Sequence, residues 1–210
     1  MPIHQSFNPL AGENTYYLES ETALILVDPG NDLETIHAKL KAIDKSLIAI
    51  FLTHTHYDHI FSLETIREAY DRPPVYVSPL EADWLMDPIK NLSGLARHQD
   101  LPDIVCRPAE CYFETGQLLD LEDFSFKILA TPGHSVGGVS LVWEAENAVL
   151  TGDCLFKETV GRWDLPTGNQ QILLSSIRER LFSLPDHYQV FPGHGDNTTI
   201  GHEKNYNPFF

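Results

Sequence analysis

Residues 53 to 59 read Thr-His-Thr-His-Tyr-Asp-His, directly behind the apolar run Leu47 to Leu52. A near-continuous apolar run of that length is a buried strand. Ending such a strand in His54, His56, Asp58 and His59 commits the chain to a fold that gathers donor side chains in a loop at a strand end. Three imidazoles and a carboxylate within six residues offer more borderline nitrogen and hard oxygen than one tetrahedral ion takes, so two ions are implied.

Ligand-type residues recur in Thr131-Pro132-Gly133-His134, Thr151-Gly152-Asp153 and Phe191-Pro192-Gly193-His194, each after a stretch with strand character. Proline and glycine at a strand end force a tight loop, from which a side chain can be aimed at a shared point. Five histidines and two aspartates then suffice for two ions of about four protein ligands each, if one carboxylate bridges them. A lone His-x-His in a loop is more often a solvated pair, but half of the ten histidines fall in these motifs. The other five, His4, His37, His98, His187 and His202, lack donor-rich neighbours, which assigns them to surface or hydrogen-bonded structural positions.

The order of these motifs resembles the metallo-β-lactamase-fold superfamily, whose hallmark is His-x-His-x-Asp-His followed by a histidine, a bridging aspartate and a last histidine. The resemblance implies that His54, His56 and His134 hold one ion, that Asp58, His59 and His194 hold the second, and that Asp153 bridges them. It also implies that Asp28, in Leu26-Val27-Asp28-Pro29-Gly30, supports the ligands from behind.

Composition narrows what remains. A chain of 210 residues buries a sizeable core, and with no linker, repeat or low-complexity tract the expectation is a single domain spanning 1–210. Its longest apolar runs fall far short of the roughly 20 residues that span a bilayer. No charged leader precedes an apolar stretch, so a soluble, cytoplasmic protein without a membrane partner is expected. Three cysteines, Cys106, Cys111 and Cys154, make an odd number at unremarkable spacing, against a disulfide framework. Cys154 follows Asp153, and strand alternation turns it away from the donors as a packed small residue. The net charge of −16, with only 14 scattered Lys and Arg, argues against nucleic acid, which requires clustered cations.

Coarse periodicity predicts paired strands over 15–18 and 22–27, a helix running to about Ile43 behind the capping-box-like Asn31-Asp32-Leu33-Glu34, and a strand over 47–52. A helix from near Asp58 through Arg67 that stops before Pro73-Pro74, a strand over 75–77 and a short helix over 79–86 follow, and 87–106 has no clear period. The second half predicts strands near 112–114, 117–120, 124–130, 138–143 and 148–150, a helix over 169–184 and a strand over 188–191. Two interleaved halves suggest an α/β fold of two mixed sheets flanked by helices. The resemblance implies the four-layer αββα sandwich, with the site where strands end in loops.

Two divalent ions sharing a bridge would generate hydroxide near neutral pH and polarise a carbonyl. Hydrolysis of an ester-like bond follows, with Asp58 placed to orient the nucleophile; a thiolate leaves without a general acid. Imidazole and carboxylate accept zinc foremost, with iron or manganese as alternatives.

The segment Gly152-Asp153-Cys154-Leu155-Phe156, with Gly161-Arg162-Trp163-Asp164-Leu165-Pro166-Thr167-Gly168, is similar to the short glyoxalase II group. Pro192-Gly193-His194-Gly195 and the tail from Glu203 fit it too. That likeness implies a thioesterase cleaving hydroxyacyl-glutathione, or a related small acyl thioester, by a metal-bridging hydroxide. Arg162 stands where the group places a cation for the glutathione portion, although a structural ion pair with Asp164 is an equal reading. Longer members carry a C-terminal helical domain that supplies basic residues, whereas this chain ends 16 residues after His194. Lys157, Arg162 and Lys204 are the cations near the motifs that could meet a glutathione carboxylate. The alternative is a mononuclear-iron persulfide dioxygenase, an oxidoreductase of the same superfamily, holding iron with His54 or His56, His134 and Asp153. β-Lactam hydrolysis is less favoured, because those enzymes vary in the ligands of the second ion and are typically exported.

Overall fold

The computed structural model describes residues 1–96 and 100–210; His98 lies outside them. Two compact units, 1–112 and 113–210, emerge from the contacts.

In the first unit, β1 (Ile3–Phe7), β2 (Asn14–Glu19), β3 (Ala23–Val27), β4 (Ser46–Phe51), β5 (Val75–Val77) and β6 (Cys111–Tyr112) form one mixed sheet in that order. β1, β2 and β3 run antiparallel, with Leu18 opposite Ile25. From β3 to β6 the pairing is parallel. β3 is Ala-Leu-Ile-Leu-Val and buried at every position, as an interior parallel strand covered on both faces should be.

The crossover from β3 to β4 is α1 (Leu33–Ile43). The Asp32 carboxylate accepts from the Thr35 amide at 3.1 Å, satisfying one of the orphan donors of the first turn. Asp44 takes the left-handed conformation and returns its amide to the Leu40 carbonyl, ending the helix. Ile36 and Leu40 bury the inner face in a core with Leu24, Leu26, Ile50 and Leu52.

Where one helix is predicted from near Asp58 to before Pro73, there are two, α2 (Tyr57–Ile60) and α3 (Leu63–Ala69). The break falls at Ser62, whose amide goes to the Pro29 carbonyl at 3.1 Å instead of up its own helix. β5 leads to a 3-10 turn, Ala82–Met86, in place of the predicted short α-helix. The aperiodic segment beyond it is pinned from within, Asn91 donating to the carbonyls of Trp84 and Ile104.

The second unit carries β7 (Leu118–Leu121), β8 (Phe124–Ala130), β9 (Val139–Trp143), β10 (Ala148–Gly152), the short hairpin β11 (Leu155–Phe156) and β12 (Thr159–Val160), α4 (Gln170–Ser176), β13 (Gln189–Pro192), β14 (Thr198–Thr199) and α5 (Ile200–Tyr206). The main sheet has the order β14-β13-β10-β9-β8-β7. β10 and β13 are its parallel pair, joined through α4. In β8 the buried Phe124, Phe126 and Ile128 alternate with the exposed Ser125 and Lys127, the period of a strand with one face in a core. Phe124 and Phe126 each lie 5.4 Å from the Trp143 ring.

The predicted helix over 169–184 starts as expected, with Asn169 Oδ1 accepting from the Ile172 amide. After Ser176 it widens into one π turn, the Phe182 amide reaching the Ile177 carbonyl five residues back. Leu173, Ile177 and Leu181 still face the core with Val149 and Val190. The α/β expectation of two mixed sheets with helices packed on them holds. Among the described residues no helix is long and apolar enough to cross a membrane.

Candidate metal centre

In the first unit the donor loop grows out of the parallel pairing of β3 and β4. Val27 stands opposite Phe51, and the Asp28 amide donates to the Phe51 carbonyl at 3.0 Å. Asp28 then turns left-handed, φ 50°, a conformation a short polar side chain tolerates and functional sites often store. The turn aims its buried carboxylate at the start of the loop. Oδ1 accepts from the Thr53 amide at 2.8 Å, and Oδ2 from the Thr53 hydroxyl at 2.6 Å and from His59 Nδ1 at 3.0 Å.

These contacts settle proton positions. A carboxylate only accepts, so His59 carries a proton on Nδ1, and in the neutral ring Nε2 is the acceptor nitrogen. Thr53 spends its one hydroxyl proton on Asp28. Its oxygen, 3.2 Å from His54 Nδ1, therefore accepts from that ring, and His54 too presents Nε2. Asp28 thus orients two imidazoles, one directly and one through a hydroxyl.

Within this unit the ligand atoms of His54 and His56, of His54 and His59, and of Asp58 and His59 lie within 4.8 Å of one another. Asp58 and His59 sit in the first turn of α2, and His56 caps it in extended conformation. These close donor pairs, all buried, suit divalent cations, which offset the charge that burial of a carboxylate would otherwise strand.

In the second unit three strand-end loops carry one donor each. His134 follows Gly133, whose φ is 130° and at which any Cβ would lie 2.3 Å from the Leu173 backbone. Asp153 follows β10, and His194 follows β13; the Gly193 amide donates to the Gly152 carbonyl at 2.9 Å and ties those two strand ends. His134 Nε2 and His194 Nε2 approach the same oxygen, Asp153 Oδ2, at 3.4 and 3.3 Å. His134 Nδ1 donates to the Arg162 carbonyl at 2.8 Å, which again leaves Nε2 as the ligand atom. Two imidazoles thus converge on one carboxylate oxygen, a donor cluster suited to a cation.

The loop that supplies the Arg162 carbonyl approaches so closely that a Cβ at Gly161 would lie 1.8 Å from the Asp153 carbonyl oxygen. The Arg162 guanidinium is engaged elsewhere, pairing bidentately with Asp164 at 2.8 Å on both arms. Lys157 pairs with Asp196 at 3.3 Å, and Lys204 with Asp186 at 2.6 Å. Burial pushes the Cys154 thiol up to about 12, so it stays protonated at neutral pH, as its reading as a packed small residue implies. The remaining described histidines bond elsewhere: His4 to Glu19, His37 to Tyr70, His187 to Asn147 and His202 to Glu158.

Sequence reading missed Thr53, Thr55 and Glu81. The wholly buried Glu81 accepts from the Thr55 amide at 2.9 Å and from its hydroxyl at 3.2 Å. A glutamate 22 residues beyond His59 carries no spacing signal. Thr53 and Thr55, alternating with His54 and His56, were the available hint.

A buried and a partly buried His/Asp group, on two mixed sheets flanked by helices, describe a metal-dependent protein of one class. The chain belongs to the metallo-beta-lactamase superfamily, whose family model matches residues 9–194. A probable metallo-hydrolase of Streptococcus pyogenes serotype M6 is 56% identical, covering 100% of this chain and 90% of its own. The hydroxyacylglutathione hydrolase GloC of Haemophilus influenzae is 32% identical over 91% of this chain and 89% of its own. Among solved structures, BLEG-1 B3 metallo-beta-lactamase matches with a TM-score of 0.93 at 36% identity, covering 99% of both chains. TTHA1623 in a di-iron-bound form matches at 0.86 and 34% identity, covering 99% of this chain and 100% of its own.

Proposed function

We propose that this chain is a binuclear metallo-hydrolase that cleaves small acyl thioesters of the hydroxyacyl-glutathione type. In this reading His54, His56 and His134 serve one ion, Asp58, His59 and His194 the other, and Asp153 both. The observation that carries it is the fixed proton placement on His54, His59 and His134, three imidazoles each presenting Nε2. The donor set takes zinc, iron or manganese, and the di-iron form of TTHA1623 keeps iron in view.

Two divalent ions, when bound, bring a water toward ionisation near neutral pH and polarise the carbonyl under attack. Asp58, buried beside His59 with its Oδ2 3.9 Å from Nε2, would accept a hydrogen bond from the attacking water and so orient it. Asp28 keeps His59 and His54 from rotating as charge develops, so no reorganisation is required at the moment of reaction. The departing thiolate is a stable anion and takes no proton from the protein. Arg162 and Lys157 meet a carboxylate of the thiol portion, exchanging their exposed partners Asp164 and Asp196 for it. The likeness to GloC supports glutathione as that thiol.

A thioester panel on metal-reconstituted protein tests this, comparing lactoyl-glutathione with acyl esters of other thiols and reading free thiol. Release from lactoyl-glutathione, lost in His54→Ala and in Asp153→Ala, is expected. A protein that holds two ions and releases thiol from none of the panel overturns it. The likeness to BLEG-1 favours β-lactam hydrolysis as a second reading, and nitrocefin turnover exceeding thioester turnover would establish that one.

A further inference from the structure

We infer that Glu81 is a positioning residue that sets the affinity of the ion held by His54 and His56, without touching an ion itself. The inference rests on the metal assignment proposed above, and it gives a task to a buried carboxylate that the hydrolytic reading leaves idle.

Thr55 stands between the two histidines, so its backbone dihedrals decide how their rings diverge. The rings lie 4.6 Å apart at 85°, an angle that lets two imidazoles approach one point from different sides. Glu81 Oε2 takes both the Thr55 amide, at 2.9 Å, and the Thr55 hydroxyl, at 3.2 Å. A charge-assisted bond to a buried backbone amide is among the stronger restraints a side chain can apply.

The same turn applies a second restraint. Trp84, whose amide donates to the Glu81 carbonyl at 3.0 Å, lies 22° from parallel to the His56 ring at 6.2 Å. One turn, begun by Glu81, therefore grips the backbone between the histidines and one of their rings. Asp28 does different work, since its contacts reach His59 directly and His54 through Thr53. Two carboxylates divide the loop, and the division predicts unequal effects on two ions.

The test is stepwise zinc titration of the metal-stripped full chain against a chromophoric chelator, for wild type, Glu81→Ala, Glu81→Gln and Asp28→Ala. Glu81→Ala should weaken one of the two zinc steps about 10- to 100-fold, the usual cost of losing a supporting partner, and leave the other nearly unchanged. Glu81→Gln keeps an acceptor for Thr55 and should restore most of that loss. Asp28→Ala should weaken both steps. Should Glu81→Ala fail to fold, Glu81→Asp, which keeps the charge but lacks the reach, should show the same one-step loss. Equal weakening of both steps, no weakening, or a Gln variant as impaired as Ala overturns the positioning role. A wild-type chain that binds fewer than two zinc ions instead overturns the metal assignment beneath it.

Discussion

The two units hold their donors by different means. In the first, four donors fall within one short loop, and the groups that aim them are side chains: Asp28 on Thr53 and His59, and Glu81 on Thr55. In the second, His134, Asp153 and His194 are far apart in sequence, and the aiming is done by backbone. The Arg162 carbonyl fixes His134, and the Gly193 to Gly152 bond ties the loops that carry His194 and Asp153. Contiguous donors share one short backbone, so outside side chains must splay them. Donors at separate strand ends are already placed by the sheet, and need only a loop that fits closely. The first unit should therefore be sensitive to loss of carboxylates, and the second to added atoms.

The largest effect is expected at Asp28. Asp28→Ala strips three donors of their acceptor in a buried place, and each buried donor left unsatisfied costs about 1–3 kcal/mol. Thermal or denaturant unfolding of the metal-free protein measures it. Asp28→Asn is the finer probe: its amide can still accept from Thr53, but a donor facing His59 Nδ1 favours the opposite tautomer. Near-normal stability with zinc affinity about 10- to 100-fold lower is expected; unchanged affinity would break the claim that a carboxylate sets this ring.

Next comes Gly161→Ala. A methyl placed 1.8 Å from the Asp153 carbonyl oxygen and 3.3 Å from His134 Nδ1 forces one of the two loops away, at about 1–3 kcal/mol for overpacking. Since both loops carry site groups, zinc affinity should fall with stability. A variant with wild-type melting and zinc binding would show that the second unit is not backbone-held.

The contrast also explains what could be read from sequence. β3 is an unbroken apolar run and β4 is one after Ser46, β8 alternates from Phe124 to Ile128, and Asn169 sits where a cap belongs, so local rules place them. The proposed donors could be picked out because Pro-Gly-His and Gly-Asp fall at strand ends, where a side chain can be aimed. The break at Ser62 was not, because its cause is the Pro29 carbonyl, a partner remote in the chain. β11, β12 and β14 have two residues each, too few for any period to show. Glu81 is a lone glutamate until the turn after β5 carries it beneath Thr55. Arg162 drew notice for its guanidinium, yet the contact it makes with a donor uses the carbonyl that every residue has.

That separation can be measured with Arg162→Ala. The carbonyl remains, so zinc affinity should stay within about 2-fold of wild type, in keeping with the small worth of an exposed pair such as Arg162 with Asp164. If the guanidinium meets substrate, KM for lactoyl-glutathione should rise while kcat holds. A fall in zinc affinity would mean that the side chain, not the backbone, keeps the loop in place.

The smallest effect concerns the thiols, one buried in each unit. Burial raises Cys106 and Cys154 from the usual range to about 12. A folded-state value above the unfolded one favours the neutral thiol. Its contribution to stability is therefore complete below about pH 8.5, the unfolded value, and is lost as pH climbs toward 12. At pH 8 the native chain should label at Cys111, which is half-buried, and the other two only after denaturation. Because Cys154 lies next to Asp153 in the loop that Gly161 packs against, labelling of Cys154 in native Gly161→Ala, with Cys106 still protected, would show the backbone cradle opening in the second unit alone. Equal exposure of both thiols in that variant would mean the two units fail together, and the contrast between them would not survive.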